Sequence, residues 1–157
     1  MSFSYNADNI FEMAEEIERN GVAYYRSAAA KTSDDEVKEL FISLSKMEVE
    51  HEKTFADMRA KLAGESKKSS TFDPYDEEAA YLKSLADMKV FYEKDIDMAS
   101  PIEALKGALQ AEKDSILFYL GMKSFVPENL GREWVDKIID EEKQHIVLLT
   151  THLSRLS

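Results

Sequence analysis

The sequence predicts an all-α protein, a four-helix bundle made of two copies of one helical hairpin, and three observations predict it. Only five glycines and three prolines occur in 157 residues, little material for turns beside an abundance of the strong helix formers Ala, Leu, Glu, Lys and Met. Four long stretches keep apolar residues in alternating steps of four and three, the a/d rhythm of a bundle helix. The two halves of the chain also repeat at a constant offset of 94 residues, as a duplicated hairpin would.

The helices are predicted over about 6–31, 34–63, 101–123 and 129–156. The first has the seam Phe11, Ala14, Glu18, Gly21, Tyr25 and Ala28. The second reads Val37, Phe41, Leu44, Glu48, His51, Phe55, Met58 and Leu62. It has the Ser33/Glu36 spacing of a capping box before it and Gly64 to close it. Residues 65–99 form a long crossover. It opens polar from Gly64 to Ser70, passes Pro74, and regains helical spacing at Ala80, Leu82, Leu85, Met88 and Phe91, enough for one short extra helix. Ser100 and Glu103 make a second capping box, with Pro101 at the tolerated first position. The third helix then has the seam Leu105, Ala108, Glu112, Ser115, Tyr119 and Met122. The fourth reads Val135, Ile138, Glu142, His145, Leu149 and Leu156. Residues 1–157 are expected to form a single domain, with hairpins at about 6–63 and 101–156, because this length buries one core and not two comfortable ones.

Composition excludes several classes of function. A net charge of -11 leaves no basic surface to neutralise a phosphate backbone, so nucleic acid is not an expected partner. The start from Met1 to Asn9 lacks a basic segment followed by an apolar one. The longest uncharged stretch, Ser115 to Met122, is too short to cross a bilayer. A soluble, cytoplasmic protein is expected. With no cysteine, thiolate zinc sites, iron–sulfur clusters and cysteine nucleophiles are ruled out, and any metal must sit on Glu, Asp or His.

The repeat carries the chemistry. Adding 94 to Glu18, Tyr25, Glu48 and His51 lands on Glu112, Tyr119, Glu142 and His145. Docking the hairpins about a pseudo-twofold places four carboxylates and two imidazoles at one level of an apolar core. Buried carboxylates without partners are costly or take up protons, and two divalent cations would balance all four. The i, i+3 spacing of Glu48 with His51 and of Glu142 with His145 puts each pair on one helix face. Glu48 and Glu142 can then bridge two ions, with Glu18 and Glu112 as terminal carboxylates. One nitrogen and several oxygens per ion favour iron or manganese over a closed tetrahedral zinc site.

This ligand set, Glu18, Glu48-x-x-His51, Glu112 and Glu142-x-x-His145, resembles that of the ferritin-like di-iron carboxylate superfamily, and within it the rubrerythrin-like proteins. The resemblance implies two iron ions, with manganese or zinc as substitutes, and an oxidoreductase that reduces hydrogen peroxide or dioxygen. It also implies an external, rubredoxin-like electron donor, since no cysteine domain is present, and a homodimer is a common assembly in such families. An iron-storage or detoxifying ferroxidase is the alternative function, and a non-catalytic metal-stabilised module a third.

Several residues mark departures from these families. Rubrerythrins usually place a further glutamate where this chain has Leu109, a departure that bears on the family's redox-linked ligand exchange. Glu15 is the pseudo-equivalent on the first helix, read as a solvated acid with a seventh ligand as the lesser alternative. Val49 stands where bacterioferritins carry their haem methionine, and the chain ends before the extra helix of ferritin cages. Tyr25 and Tyr119 could donate hydroxyls to ligand carboxylates or serve as plain core residues. Gly21 and Ser115 leave room beside the cluster, or simply let helices pack closely. Glu50, Glu52, Asp140 and Glu141 read as solvated faces, Trp134 as packing at the bundle end, and His152 as structural or solvent-facing.

Overall fold

The computed structural model describes residues 7–65, 77–87 and 96–157. Helix α1 (Ala7–Lys31) and α2 (Asp35–Glu65) form the first hairpin, and α4 (Pro101–Met122) and α5 (Arg132–Leu156) the second. The short α3 (Glu77–Asp87) lies on the crossover between them. Among the described residues there is no strand, and the all-α bundle expected from the seams is the fold observed. Met88, Phe91, Pro74 and the polar run 66–70 lie outside the described residues. No described helix is long and apolar enough to cross a membrane.

Every seam position named above is buried except Leu156, which is half-buried on the last turn of α5. The seams meet at the bundle axis and stack Phe11, Phe55, Phe41, Leu44, Leu105, Tyr119 and Met122 into a continuous core. Helix α1 packs on α4 and α2 on α5. Two long-range bonds pin that arrangement. The Tyr24 hydroxyl donates to the Ala104 carbonyl at 2.7 Å, and Arg155 at the end of α5 donates to Asp34 at the start of α2 at 3.0 Å. Helix α3 closes on α4 through Leu82, whose Cδ2 would lie 2.7 Å from a Cβ at Gly121, so only glycine lets it approach that closely.

The helix starts differ in one detail from the sequence reading. Ser100 caps α4 as expected, accepting from the Glu103 amide at 3.2 Å with Pro101 behind it. The cap of α2 is Asp34 rather than Ser33. Its carboxylate accepts from the Val37 amide at 2.9 Å, and its carbonyl accepts the first helical bond from Lys38. A capping side chain serves the amide two or three residues after it, and α2 begins one residue later than the Ser33/Glu36 frame assumed. Helix α5 is entered through Gly131, whose φ of 122° is open to glycine and strained for other residues. The Met58 methyl would sit 2.9 Å from a Cβ there.

Candidate metal centre

At mid-height the apolar seams give way to one polar layer. Glu18 on α1, Glu48 and His51 on α2, Glu112 on α4, and Glu142 and His145 on α5 are all buried, none more than 3% exposed. Their ligating atoms fall into two groups, Glu18–Glu48–His51–Glu142 and Glu48–Glu112–Glu142–His145, with the atoms of each group within 4.8 Å of one another. Glu48 and Glu142 belong to both groups and each of the other four to one. The imidazoles stack across the pseudo-twofold with ring centroids 5.8 Å apart and planes 18° apart. Both turn Nδ1 inward. His51 Nδ1 lies 2.8 Å from Glu142 Oε1, and His145 Nδ1 lies 3.2 Å from Glu142 Oε2 and 3.3 Å from Glu48 Oε1.

Tyr25 and Tyr119 cross between the hairpins. Tyr25 donates its hydroxyl to Glu112 Oε1 and Tyr119 donates to Glu18 Oε1, each at 2.5 Å. Glu112 and Glu18 are thus each held by a tyrosine of the opposite hairpin through one oxygen, and the other oxygen faces the cluster. Those inward oxygens are Glu18 Oε2 and Glu112 Oε2, and together with both oxygens of Glu48 and Oε2 of Glu142 they are buried without a hydrogen-bond partner among the described residues. Orphaned buried oxygens on four convergent carboxylates, beside two inward imidazole nitrogens, are the donor set that a pair of hard-to-intermediate cations requires. The residues fit a two-metal centre.

Without metal the layer must hold protons. Burial pushes the Glu48 and Glu142 carboxyls well up, and the charges of the neighbouring glutamates add to it. Burial opposes charge on the imidazoles, but bonds to surrounding carboxylates win: His51 is strongly raised, and His145 is pushed up to about 12. Glu18 and Glu112 move the other way. Burial would raise them, and the adjacent Glu48 with His51, or Glu142 with His145, outweighs it and holds each lowered. Both tyrosines are pushed well above their usual range by burial and the nearby carboxylates, so they remain donors.

Glu15 joins neither group, and it is a buried acid rather than the solvated one expected. It turns to Arg59 at 3.2 Å, in a clasp where Arg59 also holds Asp8 at 2.7 Å. His152 stands apart as well. Ser115 bonds back to the Ala111 carbonyl within α4, while Glu50 and Glu52 pair with Lys53 and Arg19 at the surface. Trp134 is half open to solvent with the Lys137 ammonium over its ring. Glu141 corrects the sequence reading: it is not a free solvated acid, because its Oε2 accepts from His51 Nε2 at 2.6 Å. The only trace of this in the sequence is its place beside Glu142, and the bond depends on where α2 lies against α5.

A crystal structure from Thermotoga maritima, of a protein provisionally assigned as ferritin-like and diiron-carboxylate, superposes with a TM-score of 0.69 at 22% identity over 100% of both chains. It shares the fold. No curated protein matches the chain. The Rubrerythrin family profile matches residues 9–153, a span that holds all six cluster residues and both tyrosines, and the chain therefore belongs to the rubrerythrin family.

Proposed function

We propose that this protein is a di-iron carboxylate oxidoreductase that reduces hydrogen peroxide, or dioxygen, with electrons from an external donor. The observation that carries the reading is the pair of overlapping groups that share Glu48 and Glu142. Those two would bridge the ions. Glu18 with His51 would complete one position, and Glu112 with His145 the other. Iron bound there would supply the two electrons that convert peroxide and two protons into two waters.

The chain's own residues set the conditions. Four carboxylates balance two divalent charges, and Tyr25 and Tyr119 hold the terminal carboxylates by one oxygen so that the other faces inward. Phe41 stacks on Tyr25 at 5.6 Å and Phe55 lies on Tyr119 at 5.1 Å, which keeps bulk water from those bonds. Manganese or zinc would fit the same ligands, but zinc is redox-inert.

Anaerobically iron-loaded, reduced protein should consume about one peroxide per iron pair, stop, and resume when a rubredoxin-like or chemical donor is added. Oxidation of ferrous iron far beyond two ions per chain, with retention as mineral, would establish the ferroxidase alternative. A reduced centre left unchanged by peroxide would reduce the protein to a metal-stabilised module.

A further inference from the structure

We propose that Glu141 is a positioning residue for His51 that makes the two metal positions of the centre unequal, the His51 position being the tighter. The proposal rests on the two-metal reading above. His51 presents Nδ1 to the cluster and sets Nε2 against Glu141 Oε2, at 2.8 Å and 2.6 Å to its two carboxylate partners. An imidazole that donates its outer N–H to a carboxylate has its tautomer and ring plane set, and its inner nitrogen becomes a better donor to a metal. Glu141 is suited to this duty because its side chain, 30% exposed, takes no part in either ligand group.

His145 faces the cluster the same way, yet its Nε2 is buried with no hydrogen-bond partner among the described residues. The internal repeat supplies the reason. Subtracting 94 from 141 gives position 47, which is methionine, and a thioether is at best a weak acceptor for an imidazole N–H. The duplication has therefore left one histidine latched and the other unlatched. Glu141, Met47 and His51 also line a surface groove of about 280 Å³ together with Lys46 and Glu50. The latch thus lies between α2 and α5 at the groove, where substitution leaves the core packing intact.

The test is stepwise Co(II) titration of the wild type, Glu141→Gln and Glu141→Ala, read by the visible bands of each bound ion and by the hyperfine-shifted imidazole N–H protons. The wild type should bind two ions in resolved steps. Glu141→Ala should weaken the tighter step by about 10- to 100-fold, leave the weaker step little changed, and lose one slowly exchanging N–H signal. Glu141→Gln keeps an acceptor oxygen, so it should keep that signal and lie between the two in affinity. Two ions bound with both steps unchanged in Glu141→Ala, or with both weakened alike and the N–H signal retained, would overturn the positioning role while leaving the two-metal reading intact. A wild type that binds no ion would overturn both.

Discussion

The two hairpins bring the same side chains to the centre but close their ends by unrelated means. The first turns through residues 32–34 under the Asp34 cap, and its helices are clasped by Arg59, which reaches from α2 to Asp8 and Glu15 on α1. The second turns through two 3-10 segments, Lys123–Phe125 and Glu128–Leu130, and the positive φ of Gly131, with Lys123 paired to Asp136. Position 109, the counterpart of Glu15, is a leucine packed against the core. Between those ends the halves agree at the six cluster residues and the two tyrosines, though not at Met47 and Glu141 beside them. The difference teaches that seam register, not loop geometry, sets the centre, because a helix carries its side chains at fixed angles from whatever turn precedes it.

Removing the residues common to both groups should have the largest effect. Glu48→Ala with Glu142→Ala takes one carboxylate from each hairpin and should abolish binding of both ions in metal analysis of anaerobically iron-loaded protein. Glu18→Ala or Glu112→Ala alone should leave one ion bound. Two ions retained by the double variant would end the bridging assignment.

Metal removal comes next, and it tests the hairpins together. The empty layer binds protons more tightly than the same groups do in water, at the Glu48 and Glu142 carboxyls and at both imidazoles, so loading divalent ions at neutral pH should release protons, detectable in a pH-stat. All four groups have folded values raised above their ordinary 4.5 or 6.5. The stability they give the empty protein is therefore fully present below those ordinary values and is lost as pH rises through the folded ones. Glu18 and Glu112, being lowered, act in the opposite sense, and only as pH falls below about 4.5. The melting temperature of chelated protein should thus decline from about pH 4.5 upward, more steeply above about 6.5. Metal-loaded protein at roughly a thousandfold excess over the dissociation constant should gain about 4 kcal/mol, or on the order of 10 °C at pH 8. Equal melting curves at all pH values would contradict the burial of the layer.

The tyrosines sharpen the pseudo-twofold. Tyr25→Phe and Tyr119→Phe each remove one hydroxyl donated to the other hairpin's glutamate, and each should cost about 1–3 kcal/mol in denaturant unfolding. Unequal costs would show that the hairpins are not energetically equivalent at this layer. The smallest effect should come from Arg59→Ala, which has no counterpart in the second hairpin. A part-exposed clasp of this kind is worth about 1 kcal/mol or less, and because Glu15 joins neither candidate ligand group the variant should keep its full metal complement.

Much of this was legible in the residues because each helix advertises its own buried face. The seam positions from Phe11 to Leu149 follow from periodicity alone, since 3.6 residues per turn ties spacing to facing. The level shared by Glu18, Glu48, Glu112 and Glu142 follows from the repeat. What the sequence left open is what depends on a second helix. That Tyr25 reaches Glu112 and not its own hairpin's glutamate, that Arg59 pairs with Glu15, and that Glu141 meets His51 were decided by how far α2, α4 and α5 are rotated against their neighbours. A one-dimensional period says which face a side chain leaves from. Only the packed bundle sets the partner it meets, because a hydrogen bond is made or lost within about 1 Å of displacement.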